Sequence, residues 1–70
     1  MDNALDVWLK FDPHHEDEDA AFEANTFRTT GGFEVRWYHT AVGQVAHKFF
    51  PTYEEAVAWL EAEGFQDFSS

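Results

Sequence analysis

Two histidines stand directly before a run of four acidic residues, a combination that could bind a metal ion. His14 and His15 precede residues 16–19, and imidazole binds transition metals while carboxylates bind harder cations. However, adjacent histidines diverge on a strand or helix, and no glycine follows Asp17 and Asp19 where a calcium loop needs one. The pattern favours a solvated acidic loop with no metal or other cofactor; a small metal-binding hydrolase is the weaker alternative.

The other two histidines, His39 and His47, fall on segments predicted to be neighbouring strands, where they could approach each other as an acid–base pair. The chain has no cysteine, and its serines are the last two residues. No nucleophile, base and oxyanion arrangement is recognisable. Gly31 and Gly32 fall between two strands, so they serve a turn and not a phosphate loop. We therefore expect a protein that is not an enzyme.

The charges are sorted along the chain. Fourteen acidic residues against four Lys and Arg give a net charge of −10. Residues 12–23 and 54–67 contain no Lys or Arg and hold eleven of the acids. Such sorting creates a directional negative field that attracts cationic surfaces and repels nucleic acid, so direct nucleic-acid binding is not expected.

Length and composition predict one small folded domain. With 70 residues and no disulfide, the core must come from packing or from a partner chain. Eight Phe, three Trp and two Tyr exceed what a small sheet with one helix can bury, so an exposed aromatic binding surface is expected. The sequence lacks a signal-peptide pattern and a long apolar run, and a pI near 4.4 opposes binding to anionic lipid. We expect a cytoplasmic protein.

The pattern of apolar residues predicts an α+β fold: an antiparallel sheet of about four strands with one C-terminal helix on one face. Residues 4–11 alternate, with Leu5, Val7, Leu9 and Phe11 predicted inside and Trp8 on the polar side. There the Trp8 ring either covers a sheet edge or packs on a loop, or it is an exposed contact aromatic. Residues 12–25 form an acidic connector, in which a short helix over 16–23 is compatible with the composition. Which side of the sheet the first strand joins is not readable.

Residues 26–30, 33–40 and 45–50 predict a three-stranded meander. A two-residue loop would place Arg28 opposite Val35; a three-residue loop would place it opposite Glu34 and is favoured by the charge pairing. Phe33, Val35 and Trp37 form the predicted inner stripe of the middle strand, with Glu34, Arg36 and Tyr38 outside. The phase of 45–50 is open between Val45, His47 and Phe49 inside, or Ala46 and Phe50 inside.

Residues 52–63 predict a helix that begins at a capping box, in which Thr52 caps the backbone and Glu55 reaches back. Its buried stripe is Tyr53, Ala56, Val57 and Leu60. Gly64 suits the residue that ends a helix, after which Phe65 can fold back on Leu60.

Residues 33–65, a β-meander followed by a capped acidic helix, resemble in layout the small acidic inhibitors encoded by phages and mobile elements, in particular anti-CRISPR proteins. Small size, acid excess and the lack of cysteine add to the similarity. The resemblance implies binding to a CRISPR effector complex in the host cytoplasm, often by blocking a basic nucleic-acid channel. These inhibitors share no common signature, so no residue role is carried across.

The hypothesis from the residues is a protein-binding inhibitor that mimics nucleic acid and blocks a basic nucleic-acid-binding protein or complex. Its predicted acidic contact residues are Asp12, Glu16, Asp17, Glu18, Asp19, Glu23, Glu54, Glu55, Glu61 and Glu63, with Trp8 and Tyr38 as aromatic anchors. The alternative is a non-catalytic structural or dimerisation module from an acid-adapted proteome, with its surplus aromatics buried in a homodimer.

Overall fold

One antiparallel sheet and one helix make up the fold of residues 3–69, the part of the chain that the computed structural model describes. The elements in chain order are β1 (Trp8–Phe11), β2 (Ala21–Thr29), β3 (Gly32–His39), β4 (Val45–Phe50), α1 (Tyr53–Ala62) and β5 (Gln66–Asp67). The strands pair in the order β4-β3-β2-β1-β5, and α1 packs on one face. The predicted α+β class is confirmed, with a short fifth strand that the sequence did not indicate.

The helix forms where the sequence predicts it. The Thr52 hydroxyl accepts a hydrogen bond from the Glu55 backbone N–H at 3.2 Å; the return bond from the Glu55 side chain is not formed among residues 3–69. Leu60 is fully buried against the sheet. Gly64, at φ 95°, ends the helix in the left-handed region. This turns Phe65 back into the core, where its N–H donates to the Leu60 carbonyl.

The phase of β1 is the reverse of the predicted one. Trp8 is 3% exposed and belongs to the core, whereas Val7 and Phe11 are 37% and 61% exposed. The prediction that Trp8 is an exposed anchor is therefore wrong. The large indole of Trp8 fills the space beneath the helix. Lys10, two residues further on and on the same face, reaches the C-terminal end of the helix, where its ammonium donates to the Glu63 carbonyl at 3.1 Å.

A buried carboxylate, Asp6, holds the segment before β1 in this phase. It is 5% exposed. One carboxylate oxygen accepts the Thr26 backbone N–H at 2.9 Å, and the other accepts the Tyr53 hydroxyl at 2.7 Å. The Asp6 carbonyl accepts the Asn25 side-chain amide. Asp6 therefore ties β1, β2 and the start of α1 together, because a buried carboxylate must have its lone pairs satisfied.

The Tyr53 hydroxyl gives this network a measurable pH dependence. Burial, followed by the hydrogen bond to Asp6, raises the pKa of Tyr53 to about 12 from an ordinary value of 10.0. The stabilisation is thus fully present below about pH 10 and is lost as the pH rises through about 12. We expect the free energy of unfolding of Tyr53→Phe to be lower by about 1–2 kcal/mol at neutral pH, with a shallower fall above pH 10.

Urea unfolding across that pH range, followed by circular dichroism, measures both effects. Tyr38→Phe is the matched control for the loss at neutral pH, because Tyr38 lies on the opposite face of the sheet, away from Asp6. Burial also raises the pKa of the Tyr38 phenol, so the alkaline fall is compared between the wild type and Tyr53→Phe alone. Superimposable alkaline profiles for the wild type and Tyr53→Phe would contradict the account.

The turn between β2 and β3 contains two residues, Thr30 and Gly31, and both sequence-derived registers are wrong. Arg28 lies opposite Phe33, not opposite Glu34 or Val35. Gly31 has φ 85°, a conformation that favours glycine. The Arg28 guanidinium lies 5.7 Å from the centre of the Phe33 ring, so a cation–π contact replaces the expected charge pair.

Residues 12–20 form turns and bends, so the short helix that the composition allows over 16–23 does not form. The acidic side chains bond their own backbone instead: Asp12 accepts the His14 N–H at 3.2 Å, and Asp17 accepts the Asp19 N–H at 3.0 Å. Such local bonds compete with helix formation. The strand that follows begins at Ala21, so the connector is shorter, and β2 longer, than predicted.

The faces of β3 and β4 follow from their pairing. Trp37 packs on Trp59 of α1, with ring centres 4.9 Å apart, which confirms the predicted inner stripe of β3. On β4, Phe50 is buried beneath the helix and the Phe49 side chain lies on the opposite face. The open choice of phase is thereby resolved in favour of Ala46 and Phe50 inside.

Candidate protein-binding surface

One face of the sheet carries no helix and is called the open face here. Its rows include Leu9, Glu23, Tyr38 and Val45, which lie side by side across four strands. Tyr38 lies on this face as predicted and is half-buried between its neighbours. Burial, followed by the nearby Glu23 charge, raises the pKa of the Tyr38 phenol. A phenol with a pKa of about 10 or higher is protonated near neutral pH, so the hydroxyl can donate to a partner.

The most exposed apolar side chains of the open face were not among the predicted anchors. Phe11, Val45 and Phe49 are 61%, 66% and 54% exposed. The Phe49 ring lies over Gly32, where an added Cβ would come within 2.7 Å of it. A sequence signal existed for Phe49, because one of two adjacent phenylalanines in a strand must leave the core face. For Phe11, the apolar alternation predicted a buried side chain, whereas the structure shows an exposed one.

The acidic connector is attached to the end of β3 by His39. The connector residue Asp12 and His39 contact each other at 3.1 Å through Oδ2 and Nε2. The Ala41 backbone N–H donates to Nδ1 of the same ring at 3.2 Å, so Nδ1 is unprotonated and Nε2–H donates to Asp12. The His15 ring packs on His39 with centres 5.0 Å apart. These contacts fix both the base and the middle of the connector.

Neutralising Asp12 should loosen the connector. The hydrogen bond from His39 holds the pKa of Asp12 below its ordinary value of 3.8, so this stabilisation is present above pH 3.8 and is lost as the pH falls through the lower, folded-state pKa. In Asp12→Asn we expect faster hydrogen exchange of the Ala20 amide, which bonds the Asp17 carbonyl within the connector.

Asp19→Asn is the control, because Asp19 is exposed and its side chain bonds no other group among residues 3–69. Equal exchange rates at Ala20 in the wild type and Asp12→Asn would show that His39 does not hold the connector. Native-state exchange measured by NMR gives the rates residue by residue.

The acids of the connector remain in solvent. Glu16, Asp17, Glu18 and Asp19 are all exposed, and Asp12 is half-buried at the base. Glu23 was grouped with them by sequence, but it lies on β2 opposite Tyr38, on the open face. The connector acids therefore form one surface at the end of the sheet, without Glu23.

The four helix acids divide between the two ends of the sheet. Glu54 and Glu55 occupy the first turn of α1, whose Tyr53 ring packs on Phe33 beside the β2–β3 turn. Glu61 and Glu63 lie at the other end, where the Glu63 carbonyl bonds Lys10, two residues before Asp12. We call the connector acids with Glu61 and Glu63 the acidic end; Glu54 and Glu55 do not belong to it.

The carboxylates of the acidic end have no Lys or Arg partner in the part of the chain that the structure describes. Within residues 3–69 the one contact between a Lys or Arg side chain and a carboxylate is Arg36 with Glu34, on the open face. Lys10 is the cation nearest the acidic end, yet its ammonium lies over the Phe22 and Phe65 rings at 5.1 and 5.0 Å and bonds a carbonyl. The negative charge there is left to act on other molecules.

The histidines do not form the acid–base pair that the sequence allowed. His39 is buried at 8% exposure and packs on Phe22. His47 lies on the open face, 3.4 Å from Glu34. In the part of the chain that is described, no group of three or more His, Cys, Asp or Glu is placed to hold a metal ion, and no pocket is found.

None of the helices within the described residues has the length and apolar character needed to cross a membrane.

No protein-family model, curated protein or solved structure matches this chain.

Proposed function

We propose that this chain is an acidic, non-catalytic inhibitor that binds a basic nucleic-acid-binding protein and occupies the surface that otherwise holds phosphates. The acidic end is the contact surface: Asp12, Glu16, Asp17, Glu18, Asp19, Glu61 and Glu63. Glu54 and Glu55, at the far end of the helix, are outside it.

The observation that carries the proposal is that no Lys or Arg side chain within residues 3–69 contacts these carboxylates, while the base of their loop is fixed. Among residues 3–69, Asp12 is the one member of the acidic end whose carboxylate contacts a basic side chain, the His39 ring. That contact positions the connector without neutralising residues 16–19. A row of fixed carboxylates can replace phosphates in a basic groove, because DNA presents about one charge per 1.7 Å of axis. Fixing the loop in advance lowers the entropy lost on binding.

The partner class follows from the charge. A guide-loaded CRISPR effector complex has a basic channel for nucleic acid, and the resemblance to anti-CRISPR proteins selects it as the first candidate. Phe11 directly precedes Asp12 and is exposed beside the acidic end, so it supplies apolar contact area in the place predicted for Trp8. Tyr38 is a second contact on the open face.

The test is a binding titration against purified guide-loaded effector complexes and basic nucleases at two salt concentrations. We expect binding to at least one of them, with affinity falling by at least tenfold between about 50 mM and about 200 mM salt. Affinity that does not change with salt would exclude charge as the basis of recognition. Binding to none of the panel would remove the proposed partner class.

The alternative, a structural module without an inhibitory role, is favoured by one observation. The open face exposes Val45 and Phe49 on a single strand, outside the acidic end. A strand of this kind can join a second chain whatever the acidic end does.

A further inference from the structure

The strand β4 forms one edge of the sheet and directs unpaired backbone groups to the outside. The Thr40 N–H donates to the Ala21 carbonyl, so even-numbered residues of β3 bond β2 and odd-numbered residues bond β4. The β4 partners of those odd-numbered residues are Ala46, Lys48 and Phe50. By alternation, the backbone N–H and C=O groups that point away from the sheet belong to Val45, His47 and Phe49.

The segment that contains this edge has no carboxylate to repel a second, like-charged copy. No acidic residue occurs between positions 40 and 53, in a chain with a net charge of −10. The neighbouring carboxylate, Glu34, is already in contact with Arg36 and His47. No proline interrupts the strand; Pro51 follows its last residue. An edge with these properties is a template for strand addition.

We propose that β4 pairs with β4 of a second copy in antiparallel fashion about a two-fold axis at His47, which joins the two sheets into one. In this register Val45 of one copy lies opposite Phe49 of the other on the open face. All three outward-facing residues then pair with outward-facing residues, which gives six backbone hydrogen bonds.

This register is the one the strand favours over its neighbours. If the two-fold axis lay at Lys48 instead of His47, Val45 of one copy would lie opposite Pro51 of the other, which has no N–H to donate. The opposite shift would leave the Phe49 ring without its aliphatic partner. A single strand pair is a small interface, so we expect a weak dimer that forms at high protein concentration.

The dimer predicts a specific pattern of amide protection. As the protein concentration rises to about 1 mM, hydrogen exchange should slow at the amides of Val45, His47 and Phe49. The amides of Lys48 and Phe50, which already bond β3, serve as the internal reference. Exchange at the three outward amides that is independent of concentration would overturn the proposal.

Two variants test the role of the edge. His47→Pro removes an outward N–H without removing a bond to β3, so it should abolish the dimer, whereas His47→Ala keeps the N–H and should keep the dimer. Val45→Glu, at a position 66% exposed, places a carboxylate against Phe49 of the second copy and provides a disrupting variant should the proline disturb the fold. Sedimentation equilibrium reads the association state; dimers of Val45→Glu as stable as those of the wild type would refute the proposed pairing.

The salt dependence of association distinguishes the dimer from the proposed inhibitory binding. Repulsion between two acidic copies is screened as salt is added, so the dimer should strengthen where binding to a basic partner weakens. A monomer at every concentration would remove the dimer and leave the acidic end untouched. A strand from a different protein on β4 would appear as protection of the same three amides only in the presence of that protein, and would also refute self-association.

Discussion

Replacing Trp8 with Ala is expected to lower the free energy of unfolding by about 3–5 kcal/mol, the range found when a buried Trp or Phe is truncated to Ala. The indole is 3% exposed and packs in the cluster that includes Leu60 and Phe65. A chain of this size has a total stability of only several kcal/mol. The Trp8→Ala variant should therefore be largely unfolded at 37 °C.

Phe11→Ala is the control, because it removes another aromatic ring from the same strand. Phe11 is 61% exposed, and truncation at an exposed position usually changes stability by less than about 0.5 kcal/mol. Denaturant unfolding followed by far-ultraviolet circular dichroism measures both variants. If Phe11→Ala proved the more damaging change, β1 would have the phase predicted from the alternation and not the one described.

Reversing two charges in the connector is expected to slow association with a basic partner by about tenfold or more at low ionic strength. The double variant Glu16→Lys/Glu18→Lys is suited to this, because both side chains are exposed and neither makes a hydrogen bond within residues 3–69. Stability should change little. Stopped-flow or surface-based kinetics against the partner would show the effect mainly in the association rate.

The matched control is Glu54→Lys/Glu55→Lys, which changes the net charge by the same amount. These two residues lie at the first turn of α1, outside the acidic end. Their reversal weakens the helix start by about 0.3–1 kcal/mol for each residue, so folding is checked first. Equal slowing in the two double variants would mean that only total charge matters and that no defined contact surface exists.

Periodicity in the sequence was enough to predict the kind of each main element, but not which face of β1 is buried. Alternation identifies a strand, yet both faces of β1 carry large apolar groups, Trp8 on one and Leu9 and Phe11 on the other. The choice between them is made by Asp6, whose carboxylate is satisfied by Thr26 and Tyr53. Partners so distant in sequence cannot be read from a local pattern.

The predictions of the hairpin register and of the connector's structure were wrong for related reasons. Pairing Arg28 with Glu34 is reasonable for an isolated hairpin. In the structure, however, Glu34 contacts Arg36 and His47, and Arg28 contacts the Phe33 ring. In the connector, Asp side chains accept hydrogen bonds from backbone N–H groups two residues further along the chain. These local bonds stabilise turns in place of a helix. By contrast, α1 was predicted correctly because its cap and its terminating glycine are local signals.

The sequence predicted which acidic residues are exposed better than it predicted which of them lie together. Residues 16–19 are exposed as the charge run indicates, but the sequence placed Glu23 and Glu54 with them, and the fold separates these residues onto the open face and the opposite end of the helix. The contact that fixes the connector, Asp12 with His39, joins residues 27 positions apart. They come together because β1 pairs with β2 and β2 pairs with β3, both in antiparallel fashion.

Competition with nucleic acid tests the central claim most directly. A labelled DNA duplex is titrated onto a guide-loaded effector complex that the chain binds, at increasing concentrations of the chain. If the acidic end stands in for phosphates, the apparent dissociation constant of the duplex should rise in proportion to the concentration of the chain, with no plateau. A plateau, together with a ternary complex of effector, duplex and chain in native mass spectrometry, would contradict the account.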